Sequence, residues 1–369
     1  MSMKRFETTI RFLTPAFLGD AFQRGRWRTP PFKALLREWW RIAAAKDHGY
    51  DWRCLREKEG RLFGHAFLTH NGNTWAMRSR VSLRIDRWSE GSCERWSADT
   101  HRVQHPEVGP RGAKIDPLLY LGYGPLAHET GQGTTFAPIS TNSPIRRSAI
   151  ATEEKARMVL RWPSNVLATA KEVLRLVHAF GTLGSRCRNG WGSIAFGCHE
   201  NTTFDQIRGL AASHARPLEE CLSLDWPHAF GTDGRGPLVW RTRKAHSNWQ
   251  SAMRELAEIK IAFRTALPWR HNRGNGGPVD ERHILAYPVT NHRIDHLVQE
   301  RLANQLRFKV IRYKNEFWGI AYHLPHKIPD ESRSSLRTKY HLHDRHGILG
   351  NELGIWRRVH SILDNMMQR

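Results

Sequence analysis

A short segment rich in glycine and arginine constrains this sequence more than any other. It reads GTLGSRCRNGWG from Gly181 to Gly192, between a helical pattern and a short apolar run. Glycine adopts positive φ and lets another backbone approach closely, so its four glycines can present N–H groups to a phosphate. Arg186 and Arg188 would supply positive charge. Each glycine taken alone would equally suit a helix end or a surface turn. We call Gly181–Gly192 the glycine segment.

The charge of the chain indicates a polyanionic partner. Its 369 residues include 57 Lys and Arg against 35 Asp and Glu, a formal charge of +22, and the pI is about 10.5. A basic balance of this size is typical of nucleic-acid binders, whereas no basic amphipathic helix points to a membrane surface. The absence of a long apolar run or a signal peptide predicts a cytoplasmic protein. Five cysteines without CxxC spacing are expected to be reduced thiols.

Hydrophobic periodicity predicts an α+β first half. Alternation over Phe6–Phe12 predicts a strand, and Thr29-Pro30-Pro31 begins a helix with an apolar face at a 3.6-residue period. A strand over Trp75–Ile85, a strand around Leu160, a helix ending at Gly181 and a strand over Ser193–Cys198 follow. This order, strand, helix, strand, strand, helix, strand, is that of the ferredoxin-like fold and of RNA-recognition motifs. Residues 89–149 are interpreted as a loop-rich insertion.

Two further groups of basic residues join the glycine segment as candidate RNA contacts. Lys33, Arg37 and Arg41 form a stripe on the predicted helix, although a solvated helix face would look the same. The predicted strand Trp75–Ile85 carries three arginines on one side, an arrangement favoured by an anion lying on that face. The candidate RNA-binding residues are Lys33, Arg37, Arg41, Arg78, Arg80, Arg84, Gly184, Arg186, Arg188, Asn189, Gly190 and Trp191.

The second half, after a loop-rich stretch over residues 217–244, is predicted to be another α+β domain. A helix over Asn248–Leu267 precedes strands at His283–Pro288, Leu306–Ile311 and Phe317–Leu324, and a last helix begins after Asn351. The chain is therefore divided into residues 1–223 and 224–369, two ferredoxin-like domains in tandem.

Catalytic and cofactor motifs are weak or absent. There is no GxxxxGK, and the dinucleotide-like run at Gly122 and Gly124 is broken by Pro125. The group of His341, His343, Asp344 and His346 contains residue types that can bind metal ions, but their spacing does not match a recognisable metal site. No cofactor or metal is therefore expected. Trp191 occupies the first stacking position of an RNP1-like pattern, and Ser193 replaces the second aromatic residue.

Several stretches together resemble the RAMP superfamily of CRISPR effector subunits, and within it the first subunit of the type III-B (Cmr) RNA-targeting complex. The similarity extends over most of the chain, and the glycine segment looks like the signature loop of the family. The matching stretches are Leu13–Ala21, Arg28–Arg41, Arg61–Gly64, Arg78–Ile85, Phe180–Ile194, Arg301–Arg312 and Phe317–Pro329.

The resemblance implies a non-catalytic subunit that holds guide RNA near its 3′ end together with target RNA, both single-stranded, beside other RAMP subunits. Two alternatives stay open: an endoribonuclease that cuts target RNA with Asp20, or a guide-processing nuclease that uses histidine without metal. We expect an isolated monomer that joins a larger particle through RNA, with a homodimer as the alternative.

Overall fold

The computed structural model describes most of the chain. The described residues are 2–70, 73–96, 101–141, 143–199, 201–267, 269–270, 276–289, 292–294, 300–329 and 336–369. None of the helices in these ranges is long and apolar enough to cross a membrane. The elements are a mixture of α and β, as the periodicity predicts.

Helices and strands alternate along the chain. The helices are α1 (Thr29–Ala44), α2 (Trp52–Phe63), α3 (Pro117–Gly122), α4 (Leu167–Phe180), α5 (Phe204–Ser213), α6 (Leu218–Cys221), α7 (Trp249–Thr265), α8 (Glu281–Leu285), α9 (Leu336–His343) and α10 (Glu352–Met366). The strands are β1 (Met3–Phe12), β2 (His65–His70), β3 (Asn73–Met77), β4 (Ser82–Ile85), β5 (Val103–His105), β6 (Ala113–Ile115), β7 (Leu126–Glu129), β8 (Gly133–Phe136), β9 (Lys155–Pro163), β10 (Ile194–Phe196), β11 (Ala215–Pro217), β12 (Phe230–Asp233), β13 (Gly236–Pro237), β14 (Val239–Arg241), β15 (Leu306–Tyr313) and β16 (Glu316–His323).

The largest sheet has the strand order β10-β1-β9-β4, with every neighbouring pair antiparallel. One face of this sheet is apolar because alternate residues of each strand, such as Ile10, Leu160 and Ile85, point into the core. Helices α1 and α4 pack against each other and contribute to this same core. The strand and helix predicted at the N-terminus are therefore confirmed.

The prediction of one continuous strand over Trp75–Ile85 is wrong, because the chain turns in the middle of this stretch. Strand β3 pairs with β2, whereas β4 pairs with β9 in the main sheet. Between them, the N–H groups of Arg80 and Val81 both donate to the carbonyl of Leu62, which interrupts the ladder. The alternation that suggested one strand thus spans two strands in different sheets.

The insertion is more ordered than the loop-rich sequence indicates. It contains the hairpins β5–β6 and β7–β8 with the short helix α3 between them. Asp116 caps α3 by accepting from the N–H groups of Leu118 and Leu119. Leu118 and Leu121 are buried with residues of α7, including Leu256. The insertion therefore helps to build the core of the second half.

The second half contains the sheet β14-β16-β15 with α7 and α10. Asn248 caps α7 by accepting from the N–H of Ser251 at 2.8 Å, and the strands predicted at Leu306–Ile311 and Phe317–Leu324 are confirmed. The predicted strand His283–Pro288 is wrong. Asp280 and His283 form a reciprocal capping box there and start helix α8.

The loop-rich stretch over residues 217–244 also differs from expectation. It contains helix α6 and the short strands β12, β13 and β14. Strands this short leave little periodic signal in a sequence, because two to four residues cannot establish an alternation. The last of them, β14, is nevertheless a full member of the second sheet and pairs with β16.

Strand β15 joins the two halves of the molecule. Its Phe308 N–H donates to the carbonyl of Arg188 in the glycine segment at 2.9 Å, and its Val310 N–H donates to Ser193 Oγ at 2.9 Å. The ammonium group of Lys309, fully buried, donates to the carbonyl of His178 at the end of α4. The glycine segment therefore lies at the junction of the two halves.

Candidate nucleic-acid interface

An open cleft of about 1190 Å³ lies beside this junction. Helices α1 and α2 form one wall, and the glycine segment, the start of β15 and the segment before β12 contribute the other side. Five arginines and three carboxylates line it. They are Arg37, Arg41, Arg56, Arg188 and Arg307, with Glu38, Glu59 and Asp225. The cleft therefore carries an excess of positive charge.

Helix α1 supplies the arginine pair at the centre of the cleft. Its buried face includes Trp39 and Trp40, so Arg37 and Arg41, one turn apart, share the other face. Both donate to the buried carboxylate of Glu59 on α2, Arg37 Nε to Oε1 at 2.7 Å and Arg41 Nη2 to Oε1 at 3.0 Å. The hydrogen bond to Glu59 raises the pKa of Arg41. One carboxylate thus holds two guanidinium groups in place.

A second ion pair crosses the cleft. Arg307 of β15, nearly buried, donates to Glu38 of α1 at 2.5 Å. Burial opposes ionisation of Glu38, yet the charge of Arg307 outweighs it and lowers the pKa of this carboxyl. Burial likewise opposes the charged form of Arg307, and Glu38 overcomes it and raises the pKa of the guanidinium. This pair ties the first half to the second.

Arg188 differs from these arginines because the charge of Glu38 attracts it without a direct contact. It projects from the glycine segment into the cleft and makes no side-chain hydrogen bond or ion pair with any described residue. Burial, with the neighbouring charge of Arg307, lowers the pKa of Arg188, although an arginine remains charged at neutral pH. Lys33 also has no partner among the described residues, and burial followed by repulsion from Arg37 lowers its pKa.

The glycine segment has a mainly architectural role. Gly184, Gly190 and Gly192 all have positive φ, and a Cβ at Gly192 would lie 1.8 Å from the carbonyl oxygen of Leu183. The N–H groups of Gly181, Gly190 and Gly192 donate to protein carbonyls. The prediction that four glycine N–H groups face a phosphate is therefore wrong for these three. Only the N–H of Gly184 has no partner within the described residues.

Three of the candidate contact residues are instead buried at the junction. Trp191 is fully buried among Phe17, Trp96 and Trp249, so its ring has no face for a base. Asn189 donates to the carbonyl of Leu121 at 2.8 Å and accepts from Lys260 at 2.7 Å. Gly190 packs on Met253 of α7. The prediction of direct RNA contact by Trp191, Asn189 and Gly190 is therefore wrong.

The remaining candidate arginines lie outside the cleft. Arg186 is exposed and donates through Nε to the carbonyl of Tyr123 at 2.6 Å. Arg78 and Arg80 follow β3, and Arg80 lies 3.4 Å from Asn165. Arg84 lies in β4 and points away from the core. The three arginines predicted to share one strand face therefore do not do so.

Sequence reasoning missed two cleft residues, Arg56 and Arg307. Arg56 belongs to α2, whose buried Leu55, Leu62 and Phe63 lie at helical spacing and could have revealed this helix. Arg307 belongs to a correctly predicted strand, but nothing local marks it as a cleft residue. Phe67 on β2 also lines the cleft and is 73% exposed.

The proposed nuclease residue Asp20 is engaged within its own loop. Its Oδ1 accepts from the N–H groups of Phe22 at 2.8 Å and Arg24 at 3.1 Å, and its Oδ2 lies 3.3 Å from Arg26 Nε. Among the described residues, no group of three or more His, Cys, Asp or Glu side chains is arranged to hold a metal ion, including those around His341.

A cleft lined with arginine in a chain of high positive charge is typical of proteins that bind a polyanion. A family model for the RAMP superfamily matches residues 9–195, half of the chain. The protein therefore belongs to the RAMP superfamily.

The chain is also similar to several solved structures. Cmr1 from Pyrococcus furiosus in its apo form matches with 15% identity and a TM-score of 0.43, over 89% of this chain and 90% of that chain. A chain of the type III-B Cmr-beta complex bound to cognate target RNA matches with 10% identity and a TM-score of 0.46, over 93% of this chain and 99% of that chain. A chain of a type IV-B CRISPR complex matches with 17% identity and a TM-score of 0.29, over 52% of this chain and 89% of that chain. No curated protein matches significantly.

Proposed function

We propose that this RAMP protein is a non-catalytic RNA-binding subunit of a cytoplasmic type III-B CRISPR effector complex. In this role it holds single-stranded RNA, the 3′ region of the guide together with target RNA, beside other RAMP subunits. Membership of the RAMP superfamily and the net charge of +22 support the proposal.

The observation that carries it is the guanidinium of Arg188, which no side chain of the described residues contacts directly, in a cleft lined by four other arginines. Arg37, Arg41 and Arg307 are fixed by buried or half-buried carboxylates, so their remaining N–H groups are oriented before a ligand arrives. Arg56 and Arg188 have no side-chain hydrogen bond or ion pair with a described residue and therefore gain most from a phosphate. The exposed ring of Phe67 on the same cleft is suited to stacking on an unpaired base.

The fold proposal is that both halves are ferredoxin-like, with residues 1–223 and 224–369 as the domains. In the second half, Gln368 forms a single antiparallel bridge with Arg241 of β14. Counting that bridge as a reduced fourth strand gives the order Gln368-β14-β16-β15, equivalent to β10-β1-β9-β4 in the first half. The two cores would then face each other across β15 and the glycine segment.

Titration of single-stranded RNA at two salt concentrations tests the cleft. We expect Arg56→Gln/Arg188→Gln, which removes two cleft arginines, to bind about tenfold more weakly. It should lower the slope of log affinity against log salt by about 1.4, because each lost phosphate contact removes about 0.7. Lys171→Gln/Arg186→Gln is the matched control, since it also removes two charges, but from exposed positions outside the cleft. Equal affinities of the double variant and the wild type would refute the cleft as the RNA site.

The nuclease alternatives make different predictions. The contacts of Asp20 with its own loop and with Arg26 favour a structural role for this carboxylate. We therefore expect no cleavage of labelled target RNA in Mg²⁺ by the protein, alone or in its complex. Cleavage that Asp20→Asn abolishes would establish the first alternative, and cleavage that persists in a chelator would establish the histidine-based one.

Assembly provides a test of the complex. We expect the isolated chain to be a monomer, because its charge is neutralised only when RNA and neighbouring subunits are present. Purification through a tag, with and without ribonuclease treatment, should recover guide RNA and other RAMP subunits in the untreated sample. Recovery of an RNA-free homodimer would contradict this proposal.

A further inference from the structure

The four-stranded sheet has a second face, on which most outward residues of β1, β9 and β4 are exposed. Residues that alternate with the core positions of β1, β9 and β4 point outward on this side. We call it the open face. Its outward residues are Arg5, Glu7, Thr9, Arg11, Lys155, Arg157, Val159, Arg161, Ser82 and Arg84. Six of them are cations and one is an anion.

The strand register places like charges opposite each other on the open face. Arg5 of β1 lies directly across from Arg161 of β9, and Arg11 lies across from Lys155. Directly opposed residues of an antiparallel pair have Cβ atoms about 5 Å apart, and like charges at that position are destabilising. The sheet therefore contains two repulsive cross-strand pairs.

Carboxylates compensate only part of this charge. Glu7 lies 2.5 Å from Arg5 and 3.2 Å from Arg157, and Glu153 lies 3.5 Å from Arg11. Arg84, Lys155 and Arg161 have no hydrogen bond or ion pair to a described residue through their side chains. These three cations are exposed and belong to neighbouring strands.

We propose that the open face binds the phosphodiester backbone of duplex RNA. This inference rests on the proposed RNA-binding function but uses a surface on the opposite side of the sheet from α1 and its cleft arginines. Residues two apart on a strand are about 6.7 Å apart. Each strand of double-stranded DNA carries a phosphate about every 3.4 Å of helix axis, and the spacing in duplex RNA is of the same order, so a row of cations on one β-strand can face phosphates of one backbone.

The composition of the face favours a duplex over a single strand. Single-stranded nucleic acids are held by aromatic side chains on which bases stack, and none of the outward residues of these strands is aromatic. A duplex hides its bases and offers phosphates alone, which is what an array of cations can bind. The open face and the cleft thus have different preferences, duplex for the first and single strand for the second.

The test compares two sets of variants on duplex and single-stranded RNA of equal length. We expect Arg84→Gln/Lys155→Gln/Arg161→Gln to weaken duplex binding about tenfold and to lower its salt slope by about 2.7, because each duplex contact contributes about 0.9. The cleft variant Arg56→Gln/Arg188→Gln should instead weaken binding of the single strand. The matched control is Arg111→Gln/Lys171→Gln/Arg345→Gln, which removes three exposed charges from other surfaces.

A second measurement on the unmodified protein makes the result independent of variant folding. Duplex RNA should protect the Lys155 ammonium group from acetylation, read by mass spectrometry, while Lys171 on α4 stays reactive. Unchanged duplex affinity in the triple variant, or full reactivity of Lys155 in saturating duplex, would overturn the proposal and leave an acidic protein as the partner of this face. The two proposals can fail separately. If the triple variant loses duplex binding while the cleft variant binds the single strand normally, the result supports the open face and refutes the cleft.

Discussion

The cleft and the open face carry similar numbers of cations but arrange them in opposite ways. In the cleft, the carboxylates of Glu59 and Glu38 hold arginines in fixed positions. On the open face, Arg5 and Arg161 oppose each other, and Glu7 pairs with Arg5 but not with Arg161. The arginines of the cleft are therefore held in position by the protein itself, whereas the like charges of the open face are only partly compensated.

Removal of the buried carboxylate of the cleft should have the largest effect on stability. Glu59→Gln leaves Arg37 and Arg41 without the charge that holds them, and we expect the free energy of unfolding to fall by about 2 kcal/mol. Urea denaturation measures the change. Glu57→Gln on the same helix weakens a solvent-screened pair with Arg61 and should cost about 0.5 kcal/mol. Equal decreases in the free energy of unfolding of the two variants would show that Glu59 does not stabilise the fold more than an exposed carboxylate does.

The Glu38–Arg307 pair should make the cleft sensitive to acid. The folded state has the lower pKa at Glu38, so the stabilisation is complete above the ordinary value of 4.5 and is lost as the pH falls through the folded value. At neutral pH, Glu38→Gln should cost about 1 kcal/mol, a figure reduced because Glu38 is partly exposed.

The check is urea unfolding of both proteins between neutral pH and pH 3. The difference between wild type and Glu38→Gln should shrink as the pH falls, because the protonated carboxyl resembles the amide. A difference that stays constant over this range would mean that the Glu38 charge does not contribute.

The smallest expected effect is an increase in stability on the open face. Arg161→Gln removes a repulsive cross-strand pair and should raise the free energy of unfolding by about 0.5 kcal/mol at low salt. The gain should disappear near 1 M salt, where the screening length is about 3 Å. Arg157→Gln is the control, because Arg157 has attractive contacts with Glu7 and Asp86. A loss of stability in Arg161→Gln would contradict the repulsive arrangement.

Sequence patterns predicted the elements whose periodicity is long and regular. Strand β1, helix α1 and helix α7 all have core positions at the expected spacing. The errors fall where local patterns mislead. Alternation continued from β3 to β4 across a turn, and the apolar run near Ile284 resembled a strand although Asp280 caps a helix there.

The candidate site was predicted in part. Arg37, Arg41 and Arg188 do meet in one cleft with Lys33 nearby, as the helix stripe and the glycine segment suggested together. Trp191 was misjudged because an aromatic residue next to glycine looks the same in a sequence whether it stacks on a ligand or fills a core. Its environment comes from the insertion and from α7, both distant in the chain.

The amino-acid sequence alone establishes the strong positive charge, the α+β class and the amphipathic faces, because these follow from composition and from contacts between near neighbours. Only the tertiary structure decides which cations share a surface and which of them are compensated. Arg188 and Arg307 come together because β15 pairs with the glycine segment, and Arg5 opposes Arg161 because of one register between β1 and β9. Pairing and register join residues far apart in sequence, and no local pattern records them.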